Sequence, residues 1–195
     1  MKKILAIVSV AIVGATFSHG AAIDWQISGM NSELKNYLGT TAANVPVYLV
    51  LADSTSIATI TDTASQAEFE EALANITIGS TTTGSDGKKP ADWASTSYTK
   101  TFESDLLTSG TSYTFGMLYA SQDADGNGNY RLLASTQSIM AYDVKDPTSA
   151  QTVSLSWSNM GKASWSSAYA APVPEPSTAA LALAGLALLL KRRKA

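Results

Sequence analysis

The chain predicts a mostly β fold, a β-sandwich of Ig-like or jelly-roll-like kind with one short helix near residues 65–76. Three observations predict it. Short runs rich in β-branched and aromatic residues recur between turn signals. Ser and Thr are abundant, as suits exposed strand faces. Only the segment after Ser65 carries a helical period.

Taken in order, residues 23–28 (IDWQIS) alternate apolar and polar, and Gly29 closes the run. Residues 45–51 (VPVYLVL) are nearly continuous in apolar character, as a central strand buried on both faces requires, with Pro46 placing the start at an edge. Ser65 with Glu68 forms a capping-box signature, and Phe69, Ala72, Leu73 and Ile76 follow at helical spacing, so this face should pack on a sheet. Glu68, Glu70 and Glu71 fall in the first turns, where the helix dipole favours acids, and read as solvated charge. Residues 81–92 form a polar loop that crosses between sheets. Residues 97–102 alternate again. Residues 112–120 and 129–144 read as paired strands, the second broken by a bend near Thr136. Residues 152–157 and 163–167 are expected to form a last hairpin about Ser158–Gly161, bringing Trp157 and Trp165 near each other.

The two ends read differently. Residues 1–22 carry Lys2 and Lys3, an apolar run from Ile4 to Phe17, and small residues at Ser18, Gly20, Ala21 and Ala22, the pattern of a secretory signal peptide and its helix. Small residues leave cleavage after Gly20, Ala21 or Ala22 open. The opposite end reads APVPEPSTAALALAGLALLLKRRKA. Its prolines disfavour helix just before them, which leaves Glu175 on an extended, accessible handle. Residues 177–190 can then form an apolar helix of roughly 21 Å, short against a hydrocarbon core of about 30 Å. Snorkelling of Lys191, Arg192, Arg193 and Lys194 makes a span feasible, and these cations act as a membrane stop held in the cytoplasm.

This order of parts resembles the PEP-CTERM sorting signal: Pro174-Glu175-Pro176, then Ser177-Thr178, an Ala/Leu/Gly helix, and an Arg/Lys terminus. The resemblance covers about residues 173–195. It implies that an exosortase, a membrane enzyme with a cysteine nucleophile, cuts near Pro174-Glu175-Pro176 and that this chain is its substrate. It also implies a Gram-negative envelope in which such systems often accompany exopolysaccharide. The organisation is therefore a signal peptide (1–22), an extracellular β-domain (23–171) and a sorting tail (172–195) whose linker and motif occupy 172–176, helix 177–190 and basic end 191–195. Export further implies the secretion translocon and a signal peptidase as partners.

Residues 23–171 are one domain by size, long enough to bury a core. They hold 7 Lys/Arg and 15 Asp/Glu, a net charge of −8, which argues against nucleic acid as a partner. There is no cysteine, and the one histidine, His19, would leave with the signal peptide. A domain lacking both cannot build a Ser-His-Asp triad, a Cys-His pair or a typical zinc site.

The sharpest motif in the body is Asp123-Ala124-Asp125-Gly126-Asn127-Gly128-Asn129, the first half of a calcium loop, with Asp123, Asp125, Asn127 and Asn129 as candidate oxygen donors. Its second half fails, since Ala134 stands where a bidentate Glu is needed. A hairpin turn explains the same residues, and is the reading expected here, with calcium as the alternative and no other cofactor. Trp25, Trp93, Trp157, Trp165 and the tyrosines invite sugar stacking, with Trp93 in its polar loop the candidate platform, although aromatics fill cores generally. Asp24, Asp53, Glu103, Asp105 and Asp143 are scattered acids without a motif. The expectation is thus a non-enzymatic, exported surface or extracellular-matrix protein with a structural or binding β-domain. A calcium-assisted carbohydrate-binding module or adhesin is the alternative, and a polysaccharide-acting enzyme the third.

Overall fold

The structure, a computed structural model of the chain, describes residues 20–29, 32–88, 90–91 and 98–171. The expected signal helix ahead of Gly20, the expected membrane helix 177–190 and Trp93 lie outside them. Among the described residues no helix is long and apolar enough to cross a membrane. The fold is mostly β.

The body opens with β1 (Ala21–Ser28), then β2 (Pro46–Leu51), and turns helical as α1 (Ser54–Thr61) and α2 (Gln66–Ile76). β3 (Thr77–Thr82) follows without a break, and β4 (Tyr98–Ser104) after a crossing. The short β5 (Ser112–Tyr113) precedes a hairpin of β6 (Phe115–Gln122) and β7 (Gly128–Ala134). β8 (Ile139–Met140), β9 (Tyr142–Asp143), β10 (Thr152–Ser156), α3 (Trp157–Lys162) and β11 (Trp165–Tyr169) complete it.

One sheet centres on β1, flanked by antiparallel β4 and parallel β10, with β9 pairing the start of β1. A second runs β11-β7-β6-β2-β3 and is antiparallel throughout, and β5 and β8 pair as a separate two-stranded antiparallel sheet. Alternation in β1 sends Ile23, Trp25 and Ile27 inward at 0 % exposure, and each contributes on the order of 1.5–3 kcal/mol by burial. They meet Val47, Leu49, Phe115 and Met117 from the second sheet in one core. The sheets also meet at their edges. Phe102 of β4 lies so close to Gly79 of β3 that a Cβ there would stand 2.1 Å from the ring.

β2 is apolar on both faces because both are covered. Its Val50, with Leu118 and Tyr130, faces away from the first sheet and packs beneath Ile60 of α1 and Phe69, Leu73 and Ile76 of α2. The molecule therefore has a third, helical layer. α2 starts with the first half of its capping box, Ser65 Oγ accepting from Glu68 N at 3.3 Å, while Glu68 Oε2 accepts from Ala64 N at 2.8 Å, one residue before the cap.

Several expectations need correction. One helix was expected, but α1 and α3 accompany α2. α1 has the composition of a strand (STSIATIT), yet Asp53 Oδ1 accepts from both Thr55 N and Ser56 N at 3.0 Å and starts it as a helix. The last hairpin is not formed. β10 joins the first sheet, β11 joins the second, and α3 carries the chain between them. Ala21 and Ala22 are the first two residues of β1.

Candidate functional site

On the helical side of the five-stranded sheet, α2 stands off the β6–β7 end and leaves a groove of about 410 Å³. Its walls come from residues far apart in sequence: Tyr48 from β2, Gln66, Phe69 and Glu70 from α2, Gln122 from β6 and Tyr169 from β11. Spacing of four residues on α2 puts Gln66 and Glu70 on one face. There Gln66 Nε2 donates to Glu70 Oε1 at 2.7 Å. Gln122 Nε2 donates both to Gln66 Oε1 at 2.9 Å and to Tyr169 Oη at 2.8 Å. One chain of hydrogen bonds thus runs Tyr169–Gln122–Gln66–Glu70 along the groove and fixes its polar groups before anything binds. Tyr48 lies beside Glu70, and a second recess of about 320 Å³ lined by Tyr48, Glu70, Leu73 and Thr77 extends the groove. Burial, and then the Glu70 charge, push the Tyr48 phenol up, so it stays a neutral donor.

The groove offers phenol hydroxyls, amides, one carboxylate and aromatic faces, and no Lys or Arg lines it. Such a lining disfavours anions and suits a neutral ligand rich in hydroxyls. From sequence the tyrosines enter only collectively as stacking groups and Asn129 only as a calcium donor, Gln66 and Gln122 are not singled out, and Glu70 reads as solvated charge. The available signals were faint: one polar-tipped Tyr48 within an apolar strand, and a Gln-Glu pair at helical spacing.

Asp123, Asp125, Asn127 and Asn129 come together in the turn joining β6 to β7. Asp123 Oδ1 accepts from Asp125 N at 3.0 Å and Asn127 N at 2.8 Å, and Oδ2 accepts from Asn127 Nδ2 at 3.0 Å. Gly126 supplies the positive φ of 84° that the turn needs. Burial opposes the charge on Asp123, but these hydrogen bonds outweigh it and hold the carboxyl below its ordinary range. Asn127 Oδ1 accepts from Ala171 N at 2.7 Å, and Asn129 is buried with its Nδ2 donating to Asn127 O. The side-chain oxygens of Asp123 and Asn127 are therefore at work holding the turn and the end of the body together.

The tryptophans divide by burial. Trp25 and Trp157 are core residues at 0 % exposure, and Trp157 Nε1 donates to Gly87 O at 3.2 Å. Trp165 is half-buried beneath the Arg131 guanidinium, 4.3 Å from its ring centroid, with Tyr37 edge-on at 5.4 Å. Trp93 lies outside the described residues, as do Pro174, Glu175, Pro176, Lys191, Arg192, Arg193 and Lys194. Of the scattered acids, Asp53 caps α1, Asp24 accepts from Thr101 Oγ1 and Tyr142 Oη, and Asp143 accepts from Lys145 N. Among the described residues no group of three or more His, Cys, Asp or Glu is placed to share a metal ion.

Among known protein families, residues 172–194 at the C-terminal end match the PEP-CTERM protein-sorting motif. No curated protein matches the chain, and no solved structure does.

Proposed function

Because the chain carries a PEP-CTERM protein-sorting motif at residues 172–194, we propose that it is an exported protein whose tail an exosortase processes on the way to the cell surface or extracellular space. The motif match is the observation that carries this reading. The signal peptide at the other end agrees with it in direction, and the positive-inside rule puts the body on the same outer side from either end. The apolar stretch 177–190 then serves as a brief membrane hold, with Lys191, Arg192, Arg193 and Lys194 as its stop. The β-domain is the delivered cargo, a mostly β body with two main sheets and a helical cover, structural or binding in role and not catalytic. Replacing Pro174-Glu175-Pro176 with alanines tests the tail. The wild-type chain recovered from its host should end near residues 174–177 and the variant should run to Ala195; identical processing of both would sink the reading.

A second reading concerns what the cargo does, and the groove favours it: the body binds a neutral saccharide of the surrounding matrix. The half-buried ring of Tyr48 supplies stacking surface, and Tyr169, its ring packed on Gly128 and Phe69, contributes its hydroxyl. Gln122, Gln66 and Glu70, already held by one another, meet sugar hydroxyls at little cost in side-chain ordering. A single carboxylate in the lining is one short of the pair that glycoside hydrolysis uses, which is why binding rather than cleavage is proposed. Calorimetric titration with a panel of neutral oligosaccharides should give heat with the wild type. Tyr48→Ala should weaken binding by about tenfold, the worth of one stacking or hydrogen-bonding group of about 1.4 kcal/mol. A wild-type protein that binds none of the panel excludes the groove as a saccharide site.

A further inference from the structure

We infer that the signal peptide is removed between Gly20 and Ala21, so that the mature protein begins with the first residue of β1. The inference rests on the export reading above and goes beyond it, since the sequence leaves three junctions open.

Leader peptidases require small side chains at the residue before the cut and at the residue two before that. A cut after Ala21 puts His19 at the more distant of these positions and fails. A cut after Gly20 presents Ser18 and Gly20, and a cut after Ala22 presents Gly20 and Ala22, so both satisfy the rule.

The fold separates these two. Ala21 and Ala22 are 1 % and 0 % exposed. Ala21 pairs with Ser104 of β4 and Asp143 of β9, and Ala22 with Glu103 and Tyr142. They supply two of the seven register pairs between β1 and β4. More decisively, they are the whole of the pairing between β1 and β9. A cut after Ala22 would leave β9 with no partner in the sheet and would open the covered end of the core. Gly20 lies outside the strand and takes no part in the ladder.

The chemistry of the cut suits this place. Hydrolysis adds one water across the Gly20–Ala21 peptide bond. The new carboxylate leaves on Gly20 with the leader, and the nitrogen stays on Ala21 and takes up a proton as an α-ammonium group. Glu103 waits there, its Oε2 3.7 Å from where a Cβ on Gly20 would stand. The mature terminus therefore gains a carboxylate neighbour of opposite charge.

The test is the N-terminal residue of the full chain, exported by a Gram-negative host and read by intact mass and N-terminal sequencing. Ala21 is expected. A chain starting at Ala22 or Ile23 overturns the junction and leaves the export reading standing. A chain starting at Met1 overturns the export reading and the junction with it. A bulky residue before the cut gives a second check: Gly20→Leu should abolish cleavage at Ala21, and cleavage of G20L there at the wild-type rate overturns the assignment.

Discussion

At the scale of single residues, the polar side chains of this body are mostly occupied in holding backbone. Asp53 is the clearest case: besides the two N–H groups of α1, it accepts from Ser56 Oγ at 2.6 Å. That hydroxyl first, then the backbone N–H groups, lower its pKa below the ordinary carboxylate value. The folded value lies below the unfolded one, so the stabilisation is complete above the unfolded pKa of about 3.9 and is lost as pH falls through the folded value. Asp53→Ala should cost about 1 kcal/mol at neutral pH, a fall of roughly 2–4 °C in Tm. Asp53→Asn should retain most of the cap, and the gap between wild type and D53A should close as the solution is acidified below the folded pKa. Thermal melts of the three proteins across pH check this. Asp53 was legible only as an isolated acid, because a cap is recognised by the helix that follows and Ser54–Thr61 does not read as one. Ser65 was legible because Glu68 and an apolar period follow it. The groove residues were not legible at all: Tyr48, Gln66, Gln122 and Tyr169 share no motif and meet only when three strands and a helix converge.

At the scale of elements, what was readable is local. The continuous apolar run of β2, the capped period of α2, the crossing after β3 and the Asp/Gly/Asn turn between β6 and β7 each lie in one window of sequence. The failures are non-local. β10 and β11 look like a hairpin in sequence, but the partner of β10 is β1, parallel and more than a hundred residues away, with Trp25 opposite Val153. No adjacent residue announces such a partner. The contact between Gly79 and Phe102 is of the same kind, joining edge strands of opposite sheets. Phe102 also packs against Trp25 at 6.0 Å and lies under Lys100 Nζ at 5.3 Å, so its ring has little freedom to withdraw. Gly79→Ala should therefore lower stability by about 1–3 kcal/mol, despite the entropic gain that alanine usually brings over glycine. Adding Phe102→Leu should recover part of the loss. Urea denaturation of the single and double variants measures both, and an unchanged G79A midpoint would disprove the steric account.

At the scale of the whole molecule, a mostly β body was foreseen from the rhythm of short strands, and the added helical layer was not. The reason is physical. Val50 and Leu118 on the outer face of the five-stranded sheet demand a cover, but a buried face says only that something lies on it, not whether that is a sheet or a helix. The sorting motif of the tail, by contrast, is legible because it is a linear string of residues, and residues 172–194 match it. Body and tail meet where Ala171 N donates to Asn127 Oδ1, at the same end that carries Gly128, Asn129 and Tyr169 of the groove wall. From Ala171 to Pro176 five residues span at most about 18 Å even when fully drawn out. The matched sorting motif, residues 172–194, begins one residue after the backbone N–H that Asn127 holds, so the proposed cut near residues 174–176 would leave only a few residues beyond the folded body.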